Sequence, residues 1–289
     1  MKIIILGSNG MLGKYMLNSS LFQEEAVIGM SRSSFPSFDF CDPNETIKLI
    51  KYFNADVVIN CVALTSIAAC EQNKNLADEV NTITPSLISE FCLKENIFFV
   101  HISTDHFYSG DGRVAHKETD PIELLNYYAV SKFEAEQRIL NLNPSALILR
   151  TSIIGRTPEG RTFLDWAIKS IESNERVTLF SNAYASFIHC NQLTSIIKYL
   201  IARKIAGLYN ASCSEVFSKA EFVISLAKAM NCNLEHDFGD VSELNPPRPS
   251  SCGLSSLKLI QKTGITNPSM QDVISLVLDE HATNTDFNL

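Results

Sequence analysis

Residues 2–13 read KIIILGSNGMLG. The apolar run at 3–6 is too short for a helix and rich in β-branched side chains, which reads as a strand buried on both faces. Gly7, Gly10 and Gly13 follow at three-residue spacing, and residues 11–19 carry a helical pattern. Glycines between a strand and a helix permit a tight turn and let the backbone approach a pyrophosphate, which then rests against the helix N-terminus and its dipole. Gly7, Gly10, Met11, Leu12 and Gly13 are therefore read as the first part of a dinucleotide site.

The rhythm set by this unit continues. Strand-like runs fall at 26–31, 57–62, 98–102 and 146–150, with a short one at 38–40. Helical patterns fill the intervals at 46–53, 71–95 and 124–140. Strands alternating with helices imply right-handed crossovers and a parallel sheet covered on both faces. The fold class is α/β, a Rossmann-type doubly wound parallel sheet over residues 1–150. Beyond 150 the alternation loosens. Helical stretches at 163–173, 192–203, 219–229, 255–262 and 269–279 surround an irregular segment at 238–253 that holds the PPRP cluster. Residues 151–289 are read as a smaller, partly interleaved substrate-binding lobe with a frayed tail at 283–289.

A parallel sheet places its ligand at the carboxyl ends of its strands. Where a free ribose 2′-hydroxyl usually meets Asp or Glu after the second strand, this chain has Ser31 and Arg32. A hydroxyl and a guanidinium suit a 2′-phosphate, so NADPH is expected, with NADH as the alternative. Asp39 and Phe40 are candidates for the adenine, and Cys61, Val62, Ala63 and Thr65 leave the next strand at the same edge.

Composition narrows the field. A net charge of −8 over 289 residues argues against nucleic acid or an anionic membrane as partner. The eight cysteines form no C-x-x-C pair and no metal-like cluster with the six histidines. They read as free thiols of a reducing compartment, and no metal site is expected. With no apolar stretch of membrane-spanning length and no signal-peptide pattern, the expected location is cytoplasmic.

Chemistry enters at NYYAVSK, residues 126–132. Tyr128 and Lys132 stand at i and i+4 and share a helix face. A phenol titrates near ~10 unless perturbed, and a neighbouring cation favours the phenolate. Ser103, Thr104 and Asp105, in HISTDHFYSG at 101–110, leave a strand at the ligand edge. Thr104 could hold a carbonyl oxygen that Tyr128 protonates. Tyr127 lacks a lysine four residues on. His101 and His189 read as structural, and Trp166 as a packing residue of an amphipathic helix.

The order GSNGMLG, VVINCVALT, HISTDHFYSGDG, KETDPIELLNYYAVSKFEAE and LILRTSIIG resembles the extended short-chain dehydrogenase/reductases, and within them the dTDP-4-dehydrorhamnose reductase family. The resemblance implies NADPH-dependent reduction of the 4-keto group of a nucleotide-linked 6-deoxyhexose, in deoxysugar and polysaccharide biosynthesis. It implies Thr104, Tyr128 and Lys132 as the catalytic set, with Tyr128 and Lys132 also touching the cofactor. Ser103, Thr104, Asp105, Ile153 and Arg248 become candidates for the substrate, and a homodimer is the family-based expectation. Departures concern the pocket. Ile153 replaces the tryptophan of the family's R-T-S-W, and Thr65-Ser66-Ile67-Ala68 lacks the acid of its T-x-V-D. Asn182–Ile188 replaces its D-Q-x-x-x-P-T, and Ala129 replaces the glycine after the tyrosine. Two other readings compete: an epimerase or dehydratase of the same superfamily, and a non-catalytic NADP-binding regulatory subunit such as the one that partners methionine adenosyltransferase. His106 stands where dehydratases carry a second acid, which argues against elimination, and the intact Thr104, Tyr128 and Lys132 argue against a regulatory role.

Overall fold

The computed structural model describes residues 1–35, 39–110 and 112–285. The chain divides into two compact units. The first holds Met1–Phe107, Leu124–Arg150 and Leu193–Tyr209; the second holds Tyr108–Glu123, Thr151–Gln192 and Asn210–Leu289.

The first unit is built on β1 (Lys2–Leu6), β2 (Ala26–Met30), β3 (Val57–Asn60), β4 (Phe98–Ile102) and β5 (Leu147–Thr151). The sheet has six strands in the order Gly207–Ala211, β5, β4, β3, β1, β2. The pairs β1–β2, β1–β3, β3–β4 and β4–β5 are parallel. Side chains of Ile3, Ile4, Ile5 and Leu6 are all fully buried, so both faces of β1 are covered, as expected of a parallel sheet with crossover helices on each side. The helices are α1 (Met11–Leu17), α2 (Pro43–Phe53), α3 (Ile67–Gln72), α4 (Lys74–Asp78), α5 (Thr84–Lys94) and α6 (Tyr127–Leu142). One face of the sheet packs Ile4, Leu6, Val58, Phe99 and Ile148 against Ile50, Ile88, Cys92, Ala135 and Ile139.

Sequence pattern and structure can be compared element by element in the first unit. Of the strand expected at 38–40, Phe38 lies outside the described residues, and Asp39 and Phe40 are not in a strand. The pattern at 71–95, read as one long helix or two joined ones, is α4 and α5 joined through a π-helical turn, Glu79–Ile83. Gly207–Ala211 joins the sheet without having been foreseen.

In the second unit, Phe163–Ser173 and Lys219–Ala229 each begin with a capping box, Thr162 with Asp165 and Ser218 with Glu221. Two orphan N–H groups are satisfied reciprocally at each. These helices and Met270–Thr285 enclose a core in which Phe187, Phe217 and Phe222 meet edge-on or stacked. Trp166 is exposed and lies 5.8 Å from the Phe163 ring. All eight cysteines are free thiols. Among the described residues no helix is long and apolar enough to cross a membrane, and no group of His, Cys, Asp and Glu could hold a metal ion.

The first unit contains a fully buried ion pair. Arg150 on β5 donates from Nε and Nη2 to the Glu136 carboxylate on α6, at 3.0 and 2.7 Å. Ser103 donates to the same carboxylate at 2.6 Å, and the guanidinium lies 4.9 Å from the Phe107 ring centroid. Removing one partner of such a pair strands the other charge. Glu136→Ala is expected to destabilise the protein by about 3–5 kcal/mol in chemical denaturation; a loss below about 1 kcal/mol would contradict this account of the pair.

Candidate active site

Parallel pairing brings the ends of β1, β2, β3 and β4 to one edge, and each candidate loop of the first unit starts there. Gly7 adopts φ +80°, a conformation that L side chains rarely take, and a Cβ there would lie 3.0 Å from Val62 Cγ2. At Gly13 a Cβ would stand 2.4 Å from the Gly7 carbonyl oxygen and 2.8 Å from Ser8 Cα. Only glycine permits this approach of α1 to the turn. The Gly7 and Ser8 N–H groups donate to the Met30 carbonyl, which ties the turn to the end of β2. Gly10 caps α1 without a side-chain bond, and the buried Ser8 hydroxyl has no partner among the described residues. This cradle fits a pyrophosphate.

Beyond β2 the buried Ser31 hydroxyl contacts those of Ser33 and Ser34 at 3.1 and 2.9 Å, and Asn9 Nδ2 donates to Ser33 at 2.5 Å. Arg32 is exposed beside them. Three hydroxyls, an amide and a guanidinium form a donor set suited to phosphate; Ser33, Ser34 and Asn9 were not singled out from the sequence. Asp39 is exposed and accepts from the Cys41 N–H at 2.9 Å. Phe40 is 7% exposed and belongs to the hydrophobic core.

The loop after β3 is fixed by a residue the sequence did not flag. Asn81, in the π-helical turn, accepts from the Leu64 N–H at 2.8 Å. It donates to the Leu64 carbonyl at 3.2 Å and to Ser131 Oγ at 3.0 Å. Thr82 donates to the Ser131 carbonyl at 2.7 Å. The π turn sends both side chains toward α6 and so joins the segment holding Cys61, Val62, Ala63 and Thr65 to the helix holding Tyr128. Cys61 stays a thiol, its pKa pushed up to about 12 by burial.

Asn126 starts α6 by accepting from the Ala129 N–H at 2.9 Å. The first turn separates the two tyrosines. Tyr127 donates to the Asp78 carboxylate at 2.9 Å and lies under the Lys74 ammonium. Tyr128 faces Thr104, Asp105 and the edge of the His106 ring, 5.5 Å away. Thr104 and Asp105 are buried, and the Thr104 hydroxyl accepts from the His106 N–H at 3.3 Å. Burial raises the Tyr128 phenol to about 12, against the pull of its hydrogen bond with Thr104. Lys132 is 1% exposed. Its Nζ lies 2.9 Å from His101 Nε2 and 2.7 Å from the Ile102 carbonyl, and burial lowers its pKa to about 8. Burial, with the Asp105 charge adding to it, is what moves the Tyr128 phenol up; Lys132 is not among the groups that shift it.

Ile153 and Arg248 belong to the second unit. Ile153 pairs with Ile188 in a two-strand ladder, and Arg248 is exposed in an irregular segment. His189, read as structural, is buried with Nε2 3.3 Å from Glu280. His101, also read as structural, is the side chain that meets Lys132. From sequence, only its place at the end of an apolar strand could have drawn attention to it.

The chain has relatives across nearly its whole length. A family model described as the RmlD substrate binding domain matches residues 1–283. A probable low-salt glycan biosynthesis reductase of Haloferax volcanii is 25% identical over 286 residues, 94% of this chain and 95% of that protein. A dTDP-4-dehydrorhamnose reductase of Mycolicibacterium smegmatis is 24% identical over 287 residues, 96% of this chain and 86% of that protein. Among solved structures, the chain is similar to dTDP-4-dehydrorhamnose reductase from Bacillus anthracis in complex with NADP. The TM-score is 0.89 at 22% identity, with 96% of this chain and 99% of that chain covered, a likeness of fold.

With the phenol pushed up to about 12, a spectroscopic alkaline titration should show the same phenolate absorbance below pH ~10 for the wild type and for Tyr128→Phe. A phenolate present only in the wild type below that pH would contradict the burial argument.

Proposed function

The chain belongs to the RmlD substrate binding domain family, and on that premise we propose that it reduces the 4-keto group of a nucleotide-activated 6-deoxyhexose with NADPH. The observation that carries the reading is one edge of one sheet. It holds a glycine cradle, a hydroxyl-rich loop beside Arg32, and Tyr128 hydrogen-bonded to Thr104. Relatives named as dTDP-4-dehydrorhamnose reductases support the substrate class.

Gly7, Gly10, Met11, Leu12 and Gly13 would hold the pyrophosphate. Ser31 and Arg32, joined by Ser33 and Ser34, would hold the 2′-phosphate, with Asp39 and the loop 61–65 along the rest of the dinucleotide. When bound, NADPH supplies the hydride. Tyr128 donates its proton to the ketone oxygen, and the Thr104 hydroxyl holds the same oxygen by hydrogen bond. Lys132, one helical turn on, is assigned to the nicotinamide ribose. Asp105 and Ser103 are assigned to the substrate side of the edge, although Ser103 Oγ is also bonded to Glu136. Nucleotide-sugar recognition in the second unit is assigned to Ile153 and Arg248. His106, where a dehydratase would carry an acid, leaves reduction favoured over elimination.

The test is NADPH oxidation with 4-keto-6-deoxyhexoses linked to dTDP, GDP, UDP and CDP. Turnover is expected with one of them, and none with any would overturn the assignment. Tyr128→Phe should lower kcat by at least about 100-fold with NADPH affinity nearly unchanged; retained turnover would remove Tyr128 as donor. Arg32→Ala should weaken NADPH about tenfold or more and NADH little, and equal losses would remove the 2′-phosphate role.

A further inference from the structure

The tyrosine that the chemistry does not use, Tyr127, is the first residue of α6, and three charged side chains of the first unit converge on it. Glu71, on α3, accepts from the Tyr127 N–H at 2.7 Å. Asp78, on α4, accepts from the Tyr127 hydroxyl at 3.0 and 2.9 Å from its two oxygens. The Lys74 ammonium, also on α4, lies 4.8 Å from the centroid of the Tyr127 ring, within reach of its electron-rich face. Glu71 sets a negative charge at the positive end of α6. It also divides the first turn with the cap: Glu71 takes the N–H of Tyr127, and Asn126 takes that of Ala129. The Asp78 hydrogen bond pushes the Tyr127 phenol above its usual value, so the hydroxyl remains a donor.

Tyr128 is the second residue of this helix, where helices fray. Residues 121–125 ahead of it carry no regular structure and give the first turn no orientation of their own. Ala135 and Ile139 fix the body of α6 in the apolar core, but they lie further along the chain. The first turn therefore takes its orientation from α3 and α4. Successive residues of a helix are turned by about 100°, so a grip on Tyr127 also decides where Tyr128 points. Tyr128 faces Thr104, Asp105 and the edge of the His106 ring. We propose that Tyr127 is a positioning residue: with its N–H held by Glu71 and its hydroxyl by Asp78, it keeps the first turn of α6 wound and rotated so that Tyr128 lies against Thr104. A single exposed ion pair holds little; here a backbone N–H, a hydroxyl and a ring face of one residue are each engaged. The inference deepens the proposed function and rests on it in taking Tyr128 as the proton donor.

The deciding experiment reads Tyr128 in the whole protein labelled with ¹³Cζ-tyrosine, its signal assigned by its loss in Tyr128→Phe. The signal is followed against pH in the wild type and in Tyr127→Phe, which removes the hydroxyl and keeps the ring and the N–H. Burial holds the wild-type Tyr128 phenol up at about 12. With the first turn released, Tyr128 regains water, and its protonation constant should fall about tenfold or more, toward a pKa of ~10. An unchanged titration in the folded variant would overturn the proposal. Asp78→Asn keeps an acceptor for the hydroxyl and should titrate like the wild type, whereas Asp78→Ala should reproduce Tyr127→Phe; equal effects of the two would count against the Asp78 bond. In turnover, Tyr127→Phe is expected to lower kcat about tenfold with KM for NADPH unchanged, and an unchanged kcat would contradict the positioning role. The titration uses no substrate, so absence of sugar turnover would overturn the proposed function and leave this test intact.

Discussion

Taking a lysine amine out of water costs several kcal/mol unless its hydrogen bonds are replaced and its charge is met or removed. Lys132 is 1% exposed, and much of the first unit is arranged around that cost. β4 supplies His101 and the Ile102 carbonyl as partners. The end of β3 supplies Asn60, which orients His101. One turn along α6, Glu136 is tied to Arg150 of β5 and to Ser103 at the start of the loop after β4. Three neighbouring strands and one helix are thus locked in register by polar groups that apolar packing alone would not align.

The same logic ties the glycine turn to the start of α6. Gly7 abuts Val62, so the turn after β1 packs directly on the Val62 side chain and the backbone at Cys61 and Val62. Asn81 and Ser131 then fasten that loop to α6. A displacement of the glycine turn would be felt within two contacts at the helix carrying Tyr128 and Lys132. Reacting groups must be held within a fraction of an ångström for catalysis, and this short path of backbone and amide contacts is a physical means of doing so.

How much of this was legible in the sequence depends on the range of the signal. The helices at 163–173 and 219–229 begin and end where their helical pattern places them. β4 and the glycine turn were equally plain, because each is local. The π-helical turn at 79–83 was not, since one inserted residue leaves no distinct period. Two-residue strands such as Ile153–Ile154 and Tyr184–Ala185 are too short for alternation to register. Tyr128, Lys132 and Thr104 could be named from spacing and family likeness. His101 could not, because its meaning comes from a lysine 31 residues away, a contact that only the folded sheet creates. Helical spacing fixes a shared face for Tyr128 and Lys132 but says nothing of desolvation, which is the largest cause of the upward shift at Tyr128.

The central claim is that the protein delivers a hydride to C4 of a nucleotide-linked keto sugar while Tyr128 protonates the oxygen. The most direct measurement follows the atom itself: turnover with NADPH dideuterated at nicotinamide C4, with the sugar product read by NMR and mass spectrometry. The account predicts a single deuterium bonded to C4 of the product. A product without deuterium, or with it at another carbon, would contradict the account.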